Sequence, residues 1–305
     1  MPDTPSLDPA TATMLLQRAG LHDGPVRALR MMHGGSIYRV FEMHLEGGHT
    51  LVAKLGARRR KQAMRREYLG LQFLHEKTRL PGPAPLGLIY DKPVWRGMLL
   101  VMQRVPGVNL ADARLSPRGV VALQHALAGH VAMLHQRTQD RFGSVAEPEE
   151  RHERWLDTFG PSLNDEYVAT REHYKAPTRD VIDHVIRHLP GYLTNGGPPT
   201  LVHGDLWATN IMVDDAHPDR PHITGFIDPA AAWADPEYEL AYLRCFQTAT
   251  PDFFAAYQRH HPLRDGFDRR CRVYWLETMM RHVRVFGERY IRSVESVCEQ
   301  IRRMR

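Results

Sequence analysis

The stretch LVHGDLWATNIMV, residues 201–213, decides the reading of this chain. Leu201-Val202 at one end and Ile211-Met212-Val213 at the other are apolar runs of strand length. The polar residues between them therefore sit on a tight loop anchored in core at both ends. Asp205 and Asn210 lie five positions apart on that loop. A second stretch of the same character, ITGFIDPAAAW (223–233), carries an apolar run into Asp228, and Pro229 stops the strand there. Two carboxylates and an amide at the ends of neighbouring strands suit a divalent metal with a proton acceptor beside it.

The bulk properties narrow the class. A length of 305 residues allows two domains or one large domain with two lobes, and 43% hydrophobic residues supply a sizeable core. The formal charge of +5 permits anionic ligands such as nucleotides without indicating nucleic acid. Cys245, Cys271 and Cys298 are odd in number and lack a C-x-x-C pair, so neither a disulfide framework nor a zinc site is expected, and a reducing cytoplasm fits. The opening MPDTPSLDPATATM has no basic stretch leading into an apolar one, so no signal peptide is expected. No run approaches the roughly 18 apolar residues of a membrane span, and no membrane association is expected.

Working outward from the loop, residues 35–55 read as two strands around a turn at Gly47-Gly48, and a helix follows over 61–77 with Met64, Tyr68, Leu71 and His75 on one stripe. GMLLVMQRV (97–105) is a buried strand, and Pro106-Gly107 then suggests a connector. Ser116-Pro117 starts a periodic helix with Val120, Leu123, Leu127, Val131 and Leu134 on its buried face. Helices are expected near 153–173 and 178–189, and residues 236–303 read as mostly helical. The partition is a sheet-rich nucleotide-binding lobe over 1–105 and a mainly helical catalytic lobe over 106–305.

Lys54 ends the strand TLVAKL, where a lysine can simply be solvated. Glu67 bears on it, because its helical neighbours three and four positions away are Met64, Gly70 and Leu71. A carboxylate on that apolar stripe needs a cation, since burying it unpaired is costly. Lys54 is the natural partner. The segment MHGGSIYRV (32–40) places Gly34-Gly35-Ser36 between strands, but without the full G-x-G-x-x-G pattern it reads equally as a hairpin turn. The run from Arg58 to Arg66 holds six basic residues and reads as a solvated helix entry, with no interleaved aromatic to suggest nucleic acid.

HGDLWATN followed by IDPA, with Lys54 and Glu67 upstream, resembles the protein-kinase-like small-molecule kinases, and most of all the fructosamine (ketosamine) kinase family, related to the aminoglycoside phosphotransferases. The resemblance implies an α+β, two-lobed protein-kinase-like fold. It implies ATP and Mg2+ as cofactors, and a small sugar-amine or glycated amine as acceptor. On that footing Asp205 would be the catalytic base, and Asn210 and Asp228 would hold the metal. Lys54 would contact the phosphates and Glu67 would position it, with Gly34, Gly35 and Ser36 also on the nucleotide. Met102, Gln103, Arg104 and Val105 would form a hinge offering backbone groups to adenine, and Glu239 would brace the loop. Trp207 is typical of fructosamine kinases and would stack on the sugar, or pack behind the loop. VMQRVPG at the hinge looks more like the aminoglycoside branch, and DPAAAWADPEYELA lacks the Gly-His pair usual in fructosamine kinases. An aminoglycoside or amino-alcohol kinase is therefore the alternative, and an inactive nucleotide-binding protein is the alternative of another class.

Overall fold

The computed structural model describes residues 6–32, 38–90, 95–193 and 196–304. Gly34, Gly35 and Ser36 lie outside them. In chain order, short 3-10 turns aside, the first elements are helix α1 (Pro9–Arg18), strands β1 (Val26–Met32), β2 (Arg39–Leu45) and β3 (Thr50–Ala57), and helix α2 (Lys61–Lys77). Strands β4 (Pro85–Ile89), β5 (Gly97–Gln103) and β6 (Val108–Asn109) follow, then helix α3 (Pro117–His135), strand β7 (Gly143–Ser144) and helices α4 (Trp155–Thr170), α5 (Ala176–Arg187) and α6 (Leu189–Tyr192). Next come strands β8 (Thr200–Val202), β9 (Ile211–Asp214), β10 (His222–Phe226) and β11 (Ala232–Ala234). Helices α7 (Pro236–Cys245), α8 (Pro251–Tyr257), α9 (Phe267–Phe286) and α10 (Ile291–Arg303) complete the chain.

These elements form two compact units, Met1–Gly119 with Ala208–Ala231, and Val120–Trp207 with Ala232–Arg305. The sheet-bearing unit therefore runs past residue 105 and takes in the second half of the 201–213 loop.

In the first unit an antiparallel sheet has the order β1-β2-β3-β5-β4. Alternation along the central strands sorts its two faces. Ala53, Leu55, Leu99 and Val101 share a core with Ala12, Leu15 and Leu16 of α1, whereas Met98, Leu100 and Met102 pack with Met64 and Leu71 of α2. Lys54, between Ala53 and Leu55, is thereby turned to the α2 face. The helix α1 was not foreseen, although Asp8 caps it by accepting from Thr11 N at 2.8 Å and Pro9 opens it. Strands β1 and β4 were also missed. On α2 the buried stripe is Met64, Gly70, Leu71 and Leu74; His75 is exposed, not on the stripe as expected.

The Pro106-Gly107 segment is pinned rather than loose. Strand β6 pairs with β9, and Leu110 N donates to Ile211 O at 2.8 Å. Asn109 Nδ2 also donates to Thr209 O. Gly107 makes this approach possible: it sits at φ +102°, and a Cβ there would collide with the Val213 carbonyl. Gly107→Ala should cost about 2–4 kcal/mol, combining left-handed strain with displaced backbone. Gly47→Ala, at φ +89° with nothing within 4 Å, should cost only about 1 kcal/mol. Urea unfolding of both variants checks the contrast, and equal losses would remove the collision from the account.

The second unit is held by buried aromatic packing among α4, α7 and α9. Phe159 and Tyr274 meet edge-on at 5.1 Å, Tyr238 and Tyr274 at 5.5 Å, and Trp155 Nε1 donates to Tyr274 Oη at 3.1 Å. Helix α3 buries Leu123, Leu127, Val131 and Leu134 as its periodicity predicts, but Val120 at its first turn is 36% exposed. A small sheet of order β7-β11-β8 carries the loop's entry strand, while β9, its exit strand, lies in a sheet of order β10-β9-β6. The loop's two flanking strands thus belong to different sheets, and the pair that adjoin are β9 and β10.

Candidate active site

In the first unit, Lys54 is 4% exposed and its ammonium reaches two carboxylates. It donates to Glu67 Oε1 at 2.5 Å and is ion-paired with Asp228 Oδ1. The pairing inferred from Glu67's place on α2 is present. Burial alone would draw the Lys54 ammonium down, but the charges of Asp228 and Glu67 outweigh it and hold it well above the ordinary lysine value. A raised lysine contributes its stability below the unfolded value and loses it only as pH climbs through the folded one. That loss falls in strongly alkaline solution, so the cation is constant across the physiological range.

Asp228 follows the end of β10 and adopts a left-handed backbone, φ 59°. Ile227 N donates to Asn210 O at 2.9 Å, which ties the residue before Asp228 to the last residue of the loop turn Ala208–Asn210. Left-handed φ costs a non-glycine residue about 1–2 kcal/mol, least for Asn and Asp. The strain is kept at a carboxylate whose side chain is 38% exposed beside a buried lysine, which marks a site rather than a core. Asn210 is itself buried. Gly70 of α2 faces this segment, where an added Cβ would make ordinary contact with Ala231 Cβ at 3.4 Å.

The expected hinge also lies in the first unit. Met102 is buried within β5, and Gln103 ends that strand. Gln103 N donates to Ala84 O at 2.9 Å, so adenine would have to be read by other groups of the segment. Arg104 turns outward and donates to Glu42 Oε1 at 2.5 Å, and Val105 lies against Gly225, whose absent Cβ would come within 2.8 Å of it.

In the second unit, α7 holds the entry half of the loop. Its start is fixed by Asp235, which caps Glu237 N at 2.9 Å, and by Glu237, which accepts from Arg270 Nε at 2.5 Å. Three residues apart on one face of this helix, Glu239 and Tyr242 then meet consecutive loop residues. Glu239 Oε1 accepts from Gly204 N at 2.8 Å, and Tyr242 Oη donates to Asp205 Oδ1. Gly204 takes φ +82° there. Behind Glu239, His135 Nε2 lies 3.1 Å from Oε2, and His135 Nδ1 is 2.7 Å from Tyr257 Oη. Burial, then the Asp205 charge, push the Tyr242 phenol far above its ordinary range, so it remains a donor. Trp207 is 37% exposed, with its ring 5.8 Å from Phe246. Sequence reading missed Tyr242 and His135; YELAYL does carry the helical spacing of Glu239 and Tyr242, but nothing in it says which face meets the loop.

The fructosamine kinase family profile matches residues 10–304. The chain belongs to the fructosamine kinase family. It is accordingly a phosphotransferase, as the loop motif implied. A candidate ketoamine kinase of Escherichia coli K12 is 26% identical over 293 residues, covering 92% of this chain and 94% of the relative. A candidate ketoamine kinase of Enterococcus faecium is 28% identical over 189 residues, 58% of this chain and 66% of the relative. Among solved structures, a candidate fructosamine-3-kinase of Haemophilus somnus superposes with a TM-score of 0.76 at 17% identity, covering 95% of this chain and 96% of that one. A thermostable mutant of aminoglycoside phosphotransferase APH(4)-Ia gives 0.70 at 19% identity, covering 95% and 97%. A further variant of that thermostable enzyme is known in ternary complex with AMP-PNP and hygromycin B. These likenesses establish the expected α+β, protein-kinase-like fold for the fructosamine kinase family member described here.

Proposed function

We propose that this kinase transfers the γ-phosphoryl group of ATP to a hydroxyl of a ketosamine, a sugar carried on a small amine or on a glycated protein. The observation that carries the reading is the buried Lys54 cation held between Glu67 and Asp228, in a chain whose relatives are named as ketoamine kinases. Such a cation at constant charge suits nucleotide phosphates. Asn210 and Asp228 would hold Mg2+. Both offer hard oxygen donors, and among the described residues no group of three or more His, Cys, Asp or Glu is placed for a metal. Phosphate and water oxygens would therefore complete the shell, as that ion prefers. The ion supplies charge neutralisation on the phosphates.

Asp205 takes the proton of the acceptor hydroxyl as its oxygen bonds to the γ-phosphorus, and the bond to the ADP oxygen breaks in line with it. Trp207 presents its face to the sugar. Trp207→Ala should raise the acceptor KM several-fold to about tenfold, the worth of an aromatic contact of about 0.5–1.5 kcal/mol, and leave the ATP KM nearly unchanged. Steady-state kinetics with both substrates varied would show it, and equal shifts in both constants would make Trp207 a packing residue. Among the described residues no helix is long and apolar enough to cross a membrane, and the three free thiols suit the reducing cytoplasm.

An ATP-consumption screen against ketosamines, aminoglycosides, choline-like alcohols and simple sugars tests the proposal. Turnover is expected with ketosamines and magnesium. Turnover with aminoglycosides alone would move the acceptor to the alternative branch, and none with any acceptor would overturn the assignment.

A further inference from the structure

We propose that Tyr242 is a positioning residue that fixes the orientation of the Asp205 carboxylate. The inference rests on the reading of Asp205 as the base. A carboxylate on a loop can turn about its side-chain bonds, and a base that must meet an incoming hydroxyl within hydrogen-bond reach loses rate when it does. Tyr242 Oη donates to Oδ1 of Asp205, a contact that holds the carboxylate against turning.

The donor is itself held. Tyr242 lies on α7, its ring packs on Phe246 at 4.8 Å, and Phe246 in turn meets His282 of α9 at 5.1 Å. His282 is tied to its own helix through Nδ1 and Thr278 O at 2.8 Å. Three residues before Tyr242, Glu239 grips the amide of Gly204, the residue next to Asp205. One helix face therefore sets the backbone of the loop through one side chain and its carboxylate through another. Glu239 has a fully structural account. Tyr242 does not: packing alone would be served by phenylalanine, and its hydroxyl goes to the carboxylate assigned to the chemistry.

Tyr242→Phe tests this, because it removes one oxygen and keeps the ring on Phe246, so the fold is retained. The turnover number should fall about 10- to 100-fold, the worth of a hydrogen bond to a charged group. The KM values for ATP and acceptor should stay within about twofold, since only an interaction serving the reacting state is lost. The decisive measurement is a double-mutant cycle. In an Asp205→Asn background, Tyr242→Phe should add at most about a twofold loss, because the residue acts through Asp205. Wild-type turnover in the single variant, a parallel rise in both KM values, or an undiminished loss in the Asn background would each overturn the proposal. Failure of the underlying reading looks different: Asp205→Asn would by itself keep its turnover.

Discussion

Replacing Asp205 by asparagine should lower turnover by roughly 10²–10⁴-fold, the usual worth of a positioned acid–base group, while nucleotide affinity should stay nearly intact. The separation follows from where the residues sit. Lys54, Glu67, Asn210 and Asp228 belong to one compact unit, and Asp205 belongs to the other, where α7 grips it. Asparagine keeps the size of aspartate and can still accept from Tyr242, so the loop is preserved and the proton acceptor alone is removed. Turnover by initial rates and nucleotide affinity by calorimetry are the two measurements. Unchanged turnover would remove Asp205 from the mechanism.

Asp228→Ala should abolish most of the gain in nucleotide affinity that magnesium gives the wild type. In the proposed metal site Asn210 and Asp228 would contribute few oxygens between them, so losing the only carboxylate of the pair would leave too little charge to retain the ion beside the phosphates. Lys54 keeps Glu67 at 2.5 Å, so metal-independent binding should survive, and the effect should be confined to the magnesium increment. Calorimetric titration with and without magnesium resolves the two parts. An equal increment in both proteins would place the metal elsewhere.

Much of this was legible in the sequence, and the reasons are local. Glu67 could be assigned to Lys54 because helical spacing put a carboxylate among Met64, Gly70 and Leu71, and burial demands a partner. The loop at 201–213 was legible because apolar strands flank a dense set of polar residues. What stayed hidden depended on tertiary partners. Helix α1 hid in a segment whose apolar content, Ala12, Leu15 and Leu16, shows its purpose only against the sheet. Val120 and His75 fit the helical period yet lie near element ends, where packing partners run out. Tyr242 carries no sequence mark of its hydroxyl's destination, since the same residue would serve in plain packing. The expected hinge, Met102 to Val105, is least legible: the role expected of it falls to backbone groups, and the pairing of Gln103 N with Ala84 O shows one amide already committed.

The discontinuity of the sheet-bearing unit bears on how the protein is made. Residues 1–119 contain the whole five-stranded sheet, but strands β9 and β10 and the carboxylate of Asp228 arrive only with 208–231. On a ribosome the chain emerges from its N-terminus, so Lys54 is buried opposite Glu67 alone until residue 231 clears the exit tunnel. Val120–Trp207 must meanwhile wait for Ala232–Arg305 before α4 can pack on α7 and α9. The sheet-bearing unit can therefore be completed first, and the helical unit only after Ala232–Arg305 has followed. Chains truncated before residue 231 should therefore be protease-sensitive above all across 120–207, which still lacks its partners in 232–305.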